Sequence, residues 1–141
     1  MTEKPTHYTI TVTAEQAAVI SSACEVMARL GIGQIWAALD KLPLKERWAG
    51  SWELREAVER VVADHINGGM GIHHKGVTWN ARAAWDLHAT IRHRLAWDRA
   101  IADGVVAPGQ PRNWSTMIGV AYDQPLPFED VPRVKIEEAK P

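Results

Sequence analysis

The stretch Asn67–Gly68–Gly69–Met70–Gly71–Ile72–His73–His74–Lys75–Gly76–Val77–Thr78 constrains this chain more than any other. It places four of the ten glycines between two strongly helical segments. Helical periodicity cannot persist through so many glycines, so one helix must end and another begin here. The segment behind it carries Trp79, Arg82, Trp85, His88, Arg92 and His93. Glycines admit positive φ and let a backbone come close to a ligand. A helix N-terminus behind such a loop offers N–H groups and a positive dipole end to an anion. The pattern predicts a site for a small anion, with His73, His74 and Lys75 from the loop, Arg82 and Arg92 for phosphate, and Trp79 or Trp85 to stack a base. Arg29 and Gln34, beside Gly31 and Gly33, form a second-tier site.

Periodicity sets the rest of the layout. His7–Thr13 alternates, with Tyr8, Ile10 and Val12 on one face, as a half-buried strand does. Thr13 and Gln16 read as a capping box opening a helix to about Leu30. Its inward face is Ala17, Ile20, Cys24 and Met27, widened by Val19, Ala23, Val26 and Leu30. Gly31 and Gly33 end it. A second helical stretch covers Gln34–Leu42 before Pro43 breaks it. A third starts at Ser51 and runs to about Ile66, with His65 on its apolar face. Thr78 caps a long helix to about Ala102, closed by Asp103–Gly104. The chain beyond about residue 105 is proline-rich and loop-like, and Val131–Ile136 could be a second strand pairing with the first. The expected fold is one domain over residues 1–141, mainly α, with about four helices and a small antiparallel sheet from the two terminal regions.

On the long helix, Ala84, Leu87, Ile91, Leu95 and Ala102 make an apolar stripe, flanked by Trp85, Arg92 and Arg99. Arg82, Asp86, His93 and Trp97 lie on the far side. A large indole opposite a core stripe predicts contact with another surface, and a homo-oligomer is the simplest one. The ligand pocket would then be made or completed between subunits. Seven tryptophans, at 36, 48, 52, 79, 85, 97 and 114, exceed what one small core uses, so some should line a groove or an interface.

Composition excludes several classes. At 141 residues, 46% hydrophobic and 23% charged, the chain can bury a core without staples. A net charge of −1 gives no field to hold a nucleic-acid duplex. The single Cys24 excludes an intrachain disulfide and a cysteine-based zinc cluster, and its apolar helical setting makes it a small buried hydrophobe. No apolar run reaches the ~20 residues that span a bilayer, and the first residues lack a signal peptide's apolar core. The expected location is the cytoplasm, with no membrane partner. His65, His73, His74, His88 and His93 with Asp64 and Asp86 could in principle hold a metal, but His88 and His93 diverge by about 140° on a helix. No nucleophile elbow, Rossmann or P-loop pattern is present. No cofactor, catalytic residue or metal site is expected.

Tyr8–Thr9–Ile10–Thr11–Val12–Thr13 running into Glu15–Gln16–Ala17, Arg29–Leu30–Gly31–Ile32–Gly33–Gln34, Gly71–Ile72–His73, Ala84–Trp85–Asp86 and Ile91–Arg92–His93 resemble phrases of a class of small bacteriophage proteins. That pattern has no activity attached, and no residue role is carried over from it. At the level of class, a helical oligomer bearing Trp and Arg without a catalytic motif looks like the phage sponges that bind nucleotide immune signals, such as cyclic oligonucleotides or cyclic ADP-ribose relatives. The resemblance implies non-enzymatic sequestration of a nucleotide-like anion in the cytoplasm of an infected bacterium. The alternatives are a metal-dependent hydrolase using the histidines, and a protein-binding accessory or inhibitor using a tryptophan surface.

Overall fold

A computed structural model describes residues 4–45, 50–120 and 127–141. Four helices form among these residues: α1 (Ala14–Gly31), α2 (Trp36–Leu39), α3 (Gly50–Val62) and α4 (Trp79–Ala102). Local chemistry sets their ends. Thr13 Oγ1 accepts the Gln16 N–H at 3.1 Å while Gln16 Oε1 accepts the Thr13 N–H at 2.9 Å, closing the capping box of α1. Thr78 Oγ1 takes the Ala81 N–H at the start of α4. At the other end Gly104 turns left-handed, and the N–H groups of Gly104 and Val105 close on the carbonyls of Ile101 and Ala100. α2 is a single turn, extended to Leu42 by tight i to i+3 bonds before Pro43. α3 stops at Val62, short of the expected Ile66, and His65 is exposed rather than a core histidine.

The centre of the molecule is the antiparallel pair α1 and α4, with Ser21 opposite His88 and Gly31 opposite Ala81. Among the described residues eight of the twelve buried apolar side chains are alanines, so these backbones approach very closely. A Cβ placed on Gly31 would lie 2.4 Å from the Ala81 Cβ. Gly33, with φ +86°, turns the chain so tightly against the glycine-rich loop that a Cβ there would meet the Asn67 carbonyl oxygen at 2.8 Å.

The opposite face of α4 is buried too, by the chain's own C-terminal segments. Val106 packs with Trp97 and Ala100, and Ile101 and Ile118 extend that cluster. Trp114 lies against His93 with ring centroids 3.8 Å apart. The buried Asp86 carboxylate accepts from Arg133 Nη1 at 3.0 Å and from the Val134 N–H at 3.1 Å, and Arg94 Nη1 donates to the Ile136 carbonyl. The surface of Asp86, His93 and Trp97 that suggested an oligomer is therefore already covered from within the chain.

The expected sheet does not form. No residue among those described is in a strand. Residues 7–12 are exposed rather than half-buried and make no ladder, and residues 131–136 dock on side chains of α4 instead of on a partner strand. Alternation could not specify a partner strand, and the open face of α4 claimed the C-terminal segment. Trp48 lies outside the described residues. No helix among the described residues is long and apolar enough to cross a membrane.

Gly31→Ala should push α1 and α4 apart and destabilise the fold by about 1–3 kcal/mol, the usual cost of overfilling a packed interior. Gly71→Ala, where an added Cβ meets nothing within 4 Å, is the control and should be near neutral. Urea unfolding followed by tryptophan fluorescence measures both.

Candidate functional site

The sequence-predicted residues separate into two places. At the start of α4, Arg82 Nη1 donates to the Val77 carbonyl, and the Arg82 fork pairs with the Asp130 carboxylate. The Trp79 indole N–H donates to the Asp130 carbonyl at 2.8 Å. His73 packs on Phe128 at 4.9 Å between centroids, and His74 Nδ1 accepts the Gly76 N–H. Lys75 is exposed. The anion expected beside this helix start is thus supplied by the chain itself. The Arg82 hydrogen bond holds the exposed Asp130 carboxyl below its ordinary range. This end of α4 is an anchor for the C-terminal segment, and His73, His74, Lys75, Trp79 and Arg82 do not gather into a pocket with Arg92 or Trp85.

The second-tier residues do gather. Arg29, in the last turn of α1, donates from Nε to Glu25 Oε1 and from Nη1 to Gln34 Oε1, both at 2.9 Å. These two bonds fix the guanidinium plane. Its Cζ stands 5.1 Å from the Trp36 ring centroid and 5.7 Å from that of Trp85. Arg55 of α3 also stands 5.3 Å from the Trp36 centroid, and 5.5 Å from that of Trp52. Arg55 is itself oriented by Glu59, one turn along. The result is a ladder, Trp85–Arg29–Trp36–Arg55–Trp52, drawing a rung from each helix. Guanidinium over an indole face is held electrostatically as well as by contact.

His88 lies beneath the ladder, its ring 5.4 Å from Trp85. Ser21 Oγ donates to the His88 carbonyl at 3.1 Å. Nδ1 lies 3.1 Å from the Ser21 carbonyl, so the proton belongs on Nδ1, and Nε2 faces Glu25 at 3.9 Å. Burial lowers the His88 pKa below its ordinary 6.5; Glu25 and the Ser21 hydrogen bond pull it up, and Arg92 and Arg29 push it further down. For Glu25, burial pushes the pKa up, but the Arg29 hydrogen bond and the fields of His88, Arg29 and Arg92 prevail and hold it below 4.5. Arg92 therefore belongs to the electrostatics of this cluster.

Beside the ladder is a cleft of about 110 Å³ lined by Trp36, Leu39, Asp40, Leu44, Trp52 and Arg55. A larger apolar cleft of about 310 Å³ opens between the ends of α1 and α3, lined by Leu30, Ile35, Val62, Ile66 and Met70 among others. Trp36, Arg55, Trp52 and Glu25 were not singled out from sequence as ligand residues. The i,i+3 spacing of Trp52 and Arg55 was the available signal, since it puts a cation and an indole on one helix face. Among the described residues no three His, Cys, Asp or Glu side chains lie close enough to hold a metal ion. The histidines invoked for a hydrolase sit apart, on Phe128, on Gly76, under α1 and against Trp114. No family model, curated protein or solved structure matches this chain.

The His88 geometry gives a pH dependence. The folded state disfavours protonated His88, so the unfolded chain binds that proton first. Stability is fully present above about pH 6.5 and falls as pH drops through the window between 6.5 and the lower folded value. Chemical denaturation at pH 7.5 and 5.5 should show lower stability at 5.5, and His88→Asn should flatten this slope.

Proposed function

We propose that this protein captures a small nucleotide-like anion on the tryptophan–arginine ladder and holds it without converting it. The observation that carries this reading is the alternation of indole and guanidinium from Trp85 to Trp52, with Trp52 60% exposed and available to stack a planar ring. Arg29 spends Nε and one Nη1 hydrogen on Glu25 and Gln34. Its remaining N–H groups form the kind of fork that recognises phosphate. Glu25 and Glu59 neutralise much of the local positive charge, so ring stacking is assigned the larger share of the affinity. Stacking contributes about 1–3 kcal/mol per base.

The cleft at the ladder is smaller than the ~300 Å³ at which pockets begin to enclose a drug-sized ligand. A ligand held here lies across the ladder, with one ring or one phosphate inserted. The sponge-like role suggested by the resemblance to phage proteins fits a surface that stacks and pairs.

Titration calorimetry against mononucleotides, cyclic dinucleotides, cyclic trinucleotides and cyclised ADP-ribose should find a binder at micromolar concentrations. Arg29→Ala and Trp52→Ala should each weaken it about tenfold or more, equivalent to at least ~1.4 kcal/mol. Arg82→Ala should leave the affinity unchanged, because Arg82 is committed to Asp130. The ligand should return intact after heat denaturation. Failure of the whole panel at tens of micromolar, or recovery of a hydrolysed product, overturns the reading.

A further inference from the structure

The face of α1 turned away from α4 carries an apolar stripe from Val19 to Leu30. Val19, Ala23, Val26 and Leu30 recur at spacings of four, three and four, the repeat that forms a seam between two helices. The inner stripe of α1, through Ala17, Ser21 and Ala28, is buried on α4. On the outer one Val19 is 68% exposed and Ala23 is exposed, Val26 is half-buried, and Leu30, 41% exposed, borders the cleft between α1 and α3. A helix apolar on two opposite faces is made to be covered on both.

The chain entering α1 adds a second feature. Tyr8 and Ile10 are 87% and 76% exposed on the N-terminal arm, and residues 4–12 make no backbone hydrogen bond to any described residue. From His7 to Thr13 there is no charge, proline or glycine, the features with which proteins protect an open strand edge. Tyr8–Thr9–Ile10–Thr11–Val12 also reads as apolar–Thr–apolar–Thr–apolar in both directions. Antiparallel pairing of this segment with itself, centred on Ile10, sets Ile10 opposite Ile10, Tyr8 opposite Val12 and Thr9 opposite Thr11. Every apolar side chain then falls on one face of the ribbon.

Area points the same way. A folded monomer of 15.7 kDa exposes about 7,300 Å² by the size scaling of globular proteins. This chain exposes 10830 Å². Permanent dimers bury about 2,000–5,000 Å² in total, half from each copy, which lies within that surplus.

We infer that the N-terminal arm and the outer stripe of α1 together form a self-association surface whose partner is a second copy of this chain. The arms make a two-stranded antiparallel ribbon about a two-fold axis, and the two α1 helices pack through Val19, Ala23, Val26 and Leu30. This inference is independent of the ligand proposal. It differs from the oligomer anticipated through Trp97, which the C-terminal segments cover.

Sedimentation velocity on the full chain at micromolar concentration should give twice 15.7 kDa. Val19→Lys with Val26→Lys should return the mass to that of one chain while far-UV circular dichroism stays helical, since neither residue faces α4. Ile10→Pro should weaken association at least tenfold without touching a helix. In a Cys24→Ser background, Ile10→Cys should give a disulfide-linked dimer on mild oxidation, because two-fold pairing sets residue 10 against itself. A single-chain mass for the unmodified protein overturns the inference. So does a dimer insensitive to both the Lys pair and Ile10→Pro, and a dimer without the residue 10 cross-link overturns the ribbon.

Discussion

The close contact of α1 with α4 is the constraint from which the other features follow. Ala17, Ala28 and Gly31 on one helix and Ala81 and Ala84 on the other leave little between the two backbones. The gain is dispersion contact along the pair, reinforced by the paired bonds between Ser21 and His88. The cost is area, because a methyl group removes much less surface from water than a leucine side chain does. An alanine seam alone is thin support for a domain of this size. The second half of the core, Trp97 with Val106 and Ile118, and the tie from Asp86 to Arg133 and Val134 make up the difference on the far side of α4.

The same contact positions the ladder. Trp85 comes from α4 and Arg29 from α1, and they meet because the helices lie close and in a fixed register. The tight turn at Gly33 then delivers Gln34 onto the Arg29 guanidinium and Trp36 beyond it. His88 is both a hydrogen-bonded member of the helix interface and a floor for Trp85, so packing and local electrostatics share one residue.

What could be read from the sequence was what short-range chemistry fixes. The Thr13 and Thr78 caps and the stop at Asp103–Gly104 depend on neighbours within a few positions. Arg29, Gln34 and Trp85 were visible as candidates because glycines and helical spacing marked them. The pairing of Arg82 with Asp130 was not visible, because Asp130 lies 48 residues away in a segment whose proline content concealed its docking role. The far face of α4 was read as open for the same reason. The inward face of α1 was only half right, since Ala17 is buried while Met27 is 48% exposed. Two apolar stripes on one helix look alike in sequence until one of them has found its partner.

An interface already built from the smallest chiral side chains has no reserve below it. Ordinary cores drift by trading large residues for slightly smaller ones and absorbing the loss as a cavity. At Ala28, Ala81 and Ala84 almost every exchange adds volume, so a leucine is as foreign there as an aspartate. The exchanges open to these positions over evolutionary time are alanine, glycine and serine. Divergence should instead concentrate on the exposed side of α3 and in the loop at residues 67–76, leaving the spacing of α1 and α4 nearly invariant while the surface around it changes.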